Sequence, residues 1–425
     1  MPTRPSPTAP RTRSASPGVP AGIAGVLLVS AVAAAMCWSN LAKSSAEHFW
    51  ATALPSPGLP HADFGSIGGW VDNGLMAVFF FGVGLEVGRE RAHGALSAHR
   101  QAILPVLAAL GGMGGAALTY FCTSVLAGGG PVARGGWGIP MATDVAFTMA
   151  ALALLGHRVP PELRAFVVSL AVADDVASVV ILAFVAHREI HIWALLAAAA
   201  VLAATALFRR RTVRAWWPYA AAAGVSCALF AWAGVEPPLA AAFVGMLVPH
   251  AQGASAPQSV REPAGLGKGG PGRRIEPFVA MVSALVVVPV FVLANAGFVL
   301  DLHHLDTPRA RPVVIGILAA RLLGKPAGIF LAVLVAVCAK AATLPGRTSW
   351  AQVLGAAALC GIGFTVPLLY AAAEFSGYPT LYAAAQGGLL AGTLLAFLAG
   401  GSILAFAHRR QAGTVPGSPE RAAQT

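Results

Sequence analysis

Two carboxylates stand side by side in sequence that is otherwise suited to lipid: Asp174 and Asp175 follow the largely apolar run Phe166 to Ala173 and precede Val176 to Phe184. Charges inside a bilayer are costly, so such residues are functional by default. Desolvation favours a protonated carboxyl and a nearby cation favours the ionised one, so the chemistry on offer is competitive binding of a small cation and protons. Successive helical residues point about 100° apart, so the two carboxylates serve different contacts. Lys325, in Arg-Leu-Leu-Gly-Lys-Pro, is the only lysine in the middle of an apolar span. A pair with one of the two aspartates is the economical way to bury it. Arg321, one turn earlier, is assigned no role.

A second cluster lies in Gly138 to Asp144, where Pro140 and the Thr143–Asp144 pair interrupt an apolar span. In the C-terminal half, Cys360-Gly361-Ile362-Gly363-Phe364-Thr365 places two glycines and a threonine at mid-span. A helix broken inside a membrane needs its freed backbone groups satisfied within a protein-lined cavity. Interrupted spans in corresponding positions of two halves point to a midplane site in an inverted-repeat transporter.

The elements that must carry these residues are transmembrane helices. The 425 residues are 57% hydrophobic and 11% charged, against roughly a quarter charged in soluble domains, and the mean hydropathy is +0.71. Apolar runs give approximate spans 22–42, 72–88, 102–126, 139–156, 163–186, 191–208, 215–234, 237–250, 277–299, 312–338, 352–375 and 379–407, twelve in all, the eighth being short. The 28 Lys/Arg divide unevenly: 21 on the N-terminal side, five on the other (Lys43, Arg134, Arg188, Arg309, Arg311), and Arg321 and Lys325 within a span. That asymmetry places both termini in the cytoplasm. The net charge of +11 is therefore a topology signal, not a nucleic-acid footprint.

The expected organisation is a disordered cytoplasmic tail over 1–21, retained rather than cleaved, an integral-membrane domain over 22–408 with a Gly/Pro-rich cytoplasmic linker at 251–274, and a cytoplasmic tail over 409–425. Five cysteines lie in apolar segments without metal-ligand spacing and read as free, buried thiols.

At these residues the sequence resembles the NhaA family of bacterial sodium/proton antiporters, itself a type case of inverted repeats. The resemblance runs through Asn73 to Phe80, Val83 to Glu90, Ala142 to Phe147, Asp174-Asp175, Ala294 to Gly297, Gly324-Lys325-Pro326 and Leu359 to Thr365. It implies an all-α polytopic fold of about twelve transmembrane helices with two discontinuous helices crossing at mid-membrane, one with Thr143 and Asp144, the other with Gly361, Gly363 and Thr365. Asp144 and Lys325 would offset the half-helix charges. Asp175 would be the principal sodium ligand, with Asp174 beside it and paired to Lys325 when no ion is bound; these two are also the metal ligands of the reading. Glu86, Arg89, Glu90 and Glu276 match positions associated with a cytoplasmic funnel and activation at alkaline pH.

The activity implied is electrogenic exchange of Na+ and Li+ for H+ in the bacterial inner membrane, for pH and sodium homeostasis. No catalysis and no cofactor beyond the transported ion are expected. The partners are Na+, Li+, H+, the lipid bilayer and a homodimer.

Three departures stand out. Asp72-Asn73 inverts the family's usual order, Glu236 in Gly-Val-Glu-Pro-Pro stands where the family carries a pH-linked histidine, and the outer segment 54–69 is too proline-rich to read as the family's dimerising hairpin. Two rival readings remain: a sodium-coupled organic-anion symporter, and an intramembrane aspartyl protease using Asp144 with Asp174, in which Lys325 and the glycines would have no role.

Overall fold

The computed structural model describes residues 21–59, 64–93, 99–185, 191–209, 215–249, 271–297, 307–346 and 348–413. Among these the chain is helical, without strands; Ala53 and Ser66 form one isolated antiparallel bridge in the proline-rich outer segment. Helix α1 (Ala21–Leu41) bends by 114° into the short α2 (Lys43–Trp50). There follow α3 (67–93), α4 (His99–Leu126), α5 (Val145–Leu155), α6 (Pro161–Val185), α7 (Ile192–Arg209), α8 (Trp217–Ala233) and α9 (Pro237–Leu247). The C-terminal half contains α10 (271–295), α11 (Arg311–Cys338), α12 (Trp350–Leu359), α13 (Thr365–Glu374) and α14 (Pro379–Gly413).

Five of these helices, α3, α4, α10, α11 and α14, contain stretches long and apolar enough to cross a bilayer, and the α1–α2 pair makes a sixth. The twelve expected spans are not matched one for one by long helices. Two of them, 139–156 and 352–375, are broken: α5 has 11 residues, and α12 and α13 have 10 each. The eighth is only the 11-residue α9, which starts at Pro237-Pro238. Helix α10 already begins at Pro271, whose fixed φ suits a first helical turn, so the linker expected over 251–274 ends sooner. Residues 409–413 continue α14. The rest of the linker and both tails lie outside the described residues. All five cysteines are unpaired, but only Cys360 is buried; Cys37, Cys122 and Cys338 are exposed on helix surfaces.

One crossing positions the functional residues. Helices α4 and α11 meet through Gly111 and Gly115 on one side and Gly324 and Gly328 on the other. A Cβ at Gly111 would lie 2.6 Å from the Gly328 carbonyl, so only glycine permits this approach. Within α11, residues Ala320–Gly324 form a π-turn that contains Arg321 and is followed directly by Lys325, a local widening of the kind that recurs at functional sites. The turn is thus braced by direct backbone packing, and both cations on it are buried.

Candidate functional site

Each broken span unwinds over a few residues. Before α5, the chain leaves the helix over 142–144; between α12 and α13, it does so over 362–364. The two segments touch: the Asp144 N–H donates to the Ile362 carbonyl at 3.0 Å, and the Thr143 hydroxyl donates to the Cys360 carbonyl at 2.9 Å. A Cβ at Gly363 would lie 2.6 Å from the Ala142 carbonyl, and one at Gly361 would lie 2.6 Å from the Arg321 carbonyl. The glycines are there because backbone meets backbone.

A break in low dielectric leaves charged helix ends, positive at N-termini and negative at C-termini. One carboxylate serves both N-termini: Asp144 Oδ1 accepts the Phe147 N–H of α5 at 3.3 Å, while Oδ2 accepts the Thr365 hydroxyl at 2.8 Å and the Thr365 N–H of α13 at 3.3 Å. Two cations serve the carbonyl ends. Lys325 Nζ donates to the Met141 carbonyl in the first break. Arg321 Nη1 donates to the Gly363 carbonyl, to the Gly361 carbonyl at 3.1 Å and to the Thr393 hydroxyl of α14 at 3.2 Å.

Helix α6 brings the aspartate pair to this crossing. Asp174, 0% exposed, faces the first break: its Oδ2 accepts the Thr143 N–H at 2.7 Å and pairs with Lys325 Nζ at 2.8 Å. Asp175 is also buried and lies in the field of Asp174, Asp144, Glu86 and Lys325. Asp174 Oδ1 and Asp175 Oδ1 are both enclosed and take no protein donor among the described residues. Buried carboxylate oxygens left in this way suit a hard monovalent cation or a proton, which they bind through the same lone pairs. Among the described residues no group of three or more His, Cys, Asp or Glu converges as a metal centre.

The structure thus brings together Asp174, Asp175, Thr143, Asp144, Lys325, Gly361, Gly363 and Thr365. Glu86, Arg89 and Glu276 form a separate, partly exposed chain of charges, with Arg89 Nη1 at 3.1 Å from Glu276 and Nη2 at 3.7 Å from Glu86. The Glu90 side chain lies outside what the structure describes. Glu236 precedes α9, where its carbonyl accepts the Leu239 N–H at 3.2 Å. Sequence reasoning gave Arg321 no role and missed Thr393. Arg321 is 0% exposed and among the largest fully buried side chains; its position one turn before Lys325 on the same span was the available signal.

Comparison with known proteins agrees with this geometry. The family described as "Na+/H+ antiporter 1" matches residues 20–404. The Na(+)/H(+) antiporter NhaA 2 of Novosphingobium aromaticivorans is 38% identical over 379 residues, covering 88% of this chain and 92% of the relative. The Na(+)/H(+) antiporter NhaA of Cronobacter sakazakii is 37% identical over 388 residues, covering 89% and 94%. That of Frankia casuarinae is 35% identical over 390 residues, covering 91% and 85%. With a family match from end to end of its helical region, this multi-pass membrane chain belongs to the Na+/H+ antiporter 1 family.

Proposed function

We propose that the protein exchanges Na+ for H+ across the bacterial inner membrane, with Asp174 and Asp175 as the shared binding site. The observation that carries this reading is the asymmetric pair: one carboxylate bound to Lys325 and Thr143, the next residue buried without a protein donor at one oxygen, both at the crossing of two broken helices. The relatives, named antiporters, favour exchange over organic-anion symport.

The mechanism follows from competition. With no ion bound, Lys325 neutralises Asp174. A sodium ion entering beside Asp175 draws on the free oxygens of both aspartates and weakens the Lys325 contact; protons bind those oxygens instead and expel the ion. Protons and sodium cannot load together, so a site that opens alternately to each side couples their movements. The protons belong to the interacting pair rather than to either aspartate singly. Exchange is electrogenic and accepts Li+, a smaller ion of the same charge. The termini are cytoplasmic by the 21-to-5 division of basic residues, and Glu86, Arg89, Glu90, Glu276 and Glu236 are the candidates for the pH response. A homodimer is consistent with the family resemblance.

The test uses proteoliposomes containing the full chain and loaded with sodium, with proton movement followed by a pH dye. Asp175→Asn is expected to abolish exchange; exchange at the unmodified rate overturns the site. Repeating the unmodified assay with Li+, K+ and a potential-sensitive dye tests selectivity and electrogenicity.

A further inference from the structure

Lys325 is not the only cation in the membrane interior. Arg321 is fully enclosed, its guanidinium held through Nη1 by the Gly361 and Gly363 carbonyls and the Thr393 hydroxyl, while Nε and Nη2 take no protein acceptor among the described residues. Thr393 in turn donates to the Gly363 carbonyl at 2.9 Å. The stem of Arg321 packs against α14 at Gly392, where a Cβ would come within 3.0 Å of its Cδ. A guanidinium stays charged under all ordinary conditions and presents a rigid fork of donors, which suits it to holding carbonyls permanently. Its position has two chemical consequences.

The first concerns ligands. Carbonyls at the C-terminal end of a half-helix are good donors for a small hard cation. In the second break they are already occupied by Arg321, which acts as a tethered cation there. The first break differs: its Met141 carbonyl is held by Lys325, which also holds Asp174.

The second concerns charge. With its carboxylates ionised, the buried site carries Asp144, Asp174 and Asp175 against Lys325 and Arg321, a net charge of minus one. One bound sodium ion brings it to neutrality. Without Arg321 the site would carry minus two and hold a sodium ion more tightly. Glu86, which also acts on Asp175, lies outside this buried group and shares Arg89 with Glu276.

We propose that Arg321 is a positioning and charge-setting residue of the transport site. It fills the carbonyl end of the second break so that the ion is confined to the Asp174–Asp175 side, and it holds sodium binding weak enough for release. This rests on the reading of Asp174 and Asp175 as the ion site.

The experiment compares Arg321→Gln, Arg321→Met and Arg321→Lys in sodium-loaded proteoliposomes at one alkaline pH, measuring apparent KM for Na+ and maximal exchange rate separately. Both neutral variants are expected to lower KM about tenfold, the scale of one unit charge acting from about 12 Å at an effective dielectric constant of about 20, and to lower the maximal rate because release slows. Arg321→Lys is expected to keep KM near the unmodified value. Merely structural damage lowers the rate without tightening sodium binding. A neutral variant with unchanged or raised KM, or a lysine variant whose KM falls as far as the neutral ones, overturns the proposal. If the glutamine variant does not insert, the methionine variant carries the same reading. Asp175→Asn in the same vesicles separates the two ideas: its loss of exchange together with an unshifted KM at position 321 overturns this inference alone, whereas exchange persisting in it overturns the site itself.

Discussion

The two broken spans have nearly the same backbone and very different chemistry. The break before α5 brings its own acid, Asp144, and its carbonyl end is met by Lys325, which also binds Asp174. The break between α12 and α13 brings no charge: Thr365 borrows Asp144 from the first break, and Gly361 and Gly363 borrow Arg321 from α11. Helix dipoles demand compensation wherever a span is interrupted, but the demand does not specify which strand of the crossing supplies it. Here the first break is wired into the proposed ion site and the second serves as its fixed counterpart.

This contrast can be attacked at graded strength. Lys325→Ala leaves Asp174 buried without its cation and is expected to cost about 3 to 5 kcal/mol of stability. Thermal melting of the detergent-purified protein reads this; an unchanged melting temperature would mean that the pair does not seal the first break. Asp144→Ala removes the acceptor shared by α5 and α13 and strands three donors, the Phe147 N–H and the Thr365 N–H and hydroxyl; at about 1 kcal/mol or more each, they imply a loss of exchange of at least about 100-fold. A loss no greater than that of a single-contact variant would show that the second helix does not depend on the first. Gly363→Ala sets a Cβ 2.6 Å from the Ala142 carbonyl. Overpacking of about 1 to 3 kcal/mol should reduce exchange by about tenfold and lower the melting temperature, while unaltered behaviour would place the two unwound segments farther apart. The mildest change, Thr365→Val, removes only the 2.8 Å hydroxyl bond to Asp144. At about 1 kcal/mol, it should weaken exchange about fivefold without preventing insertion; full activity would assign the capping of α13 to its backbone N–H alone.

The helical class and the outlines of the site were legible because both are local anomalies. Asp174, Asp175, Asp144 and Lys325 are charges in apolar runs, and Gly361, Gly363 and Pro140 are breakers within spans. The number of spans was less legible: α9 has only 11 residues and two spans are split, so apolar length does not map one for one onto helices. Arg321 was seen and given no task, because its partners are backbone carbonyls 40 and 42 residues away and a hydroxyl 72 residues away. A carbonyl leaves no mark in sequence.

From the sequence by itself came the membrane environment and the fact that two adjacent carboxylates and a lysine must be reconciled inside it. These follow from composition and from the cost of burying charge, which depend on residue type alone. The family resemblance implied the Asp174–Lys325 pair; only the tertiary structure added that Thr143 shares it and that Asp174 and Asp175 each keep an oxygen without a protein donor among the described residues, because that depends on how α6 is rotated against the broken spans. It also decided that two cations, not one, share the carbonyl ends, because the packing of α11 on Gly111 and Gly115 of α4 carries Arg321 and Lys325 to the two breaks together.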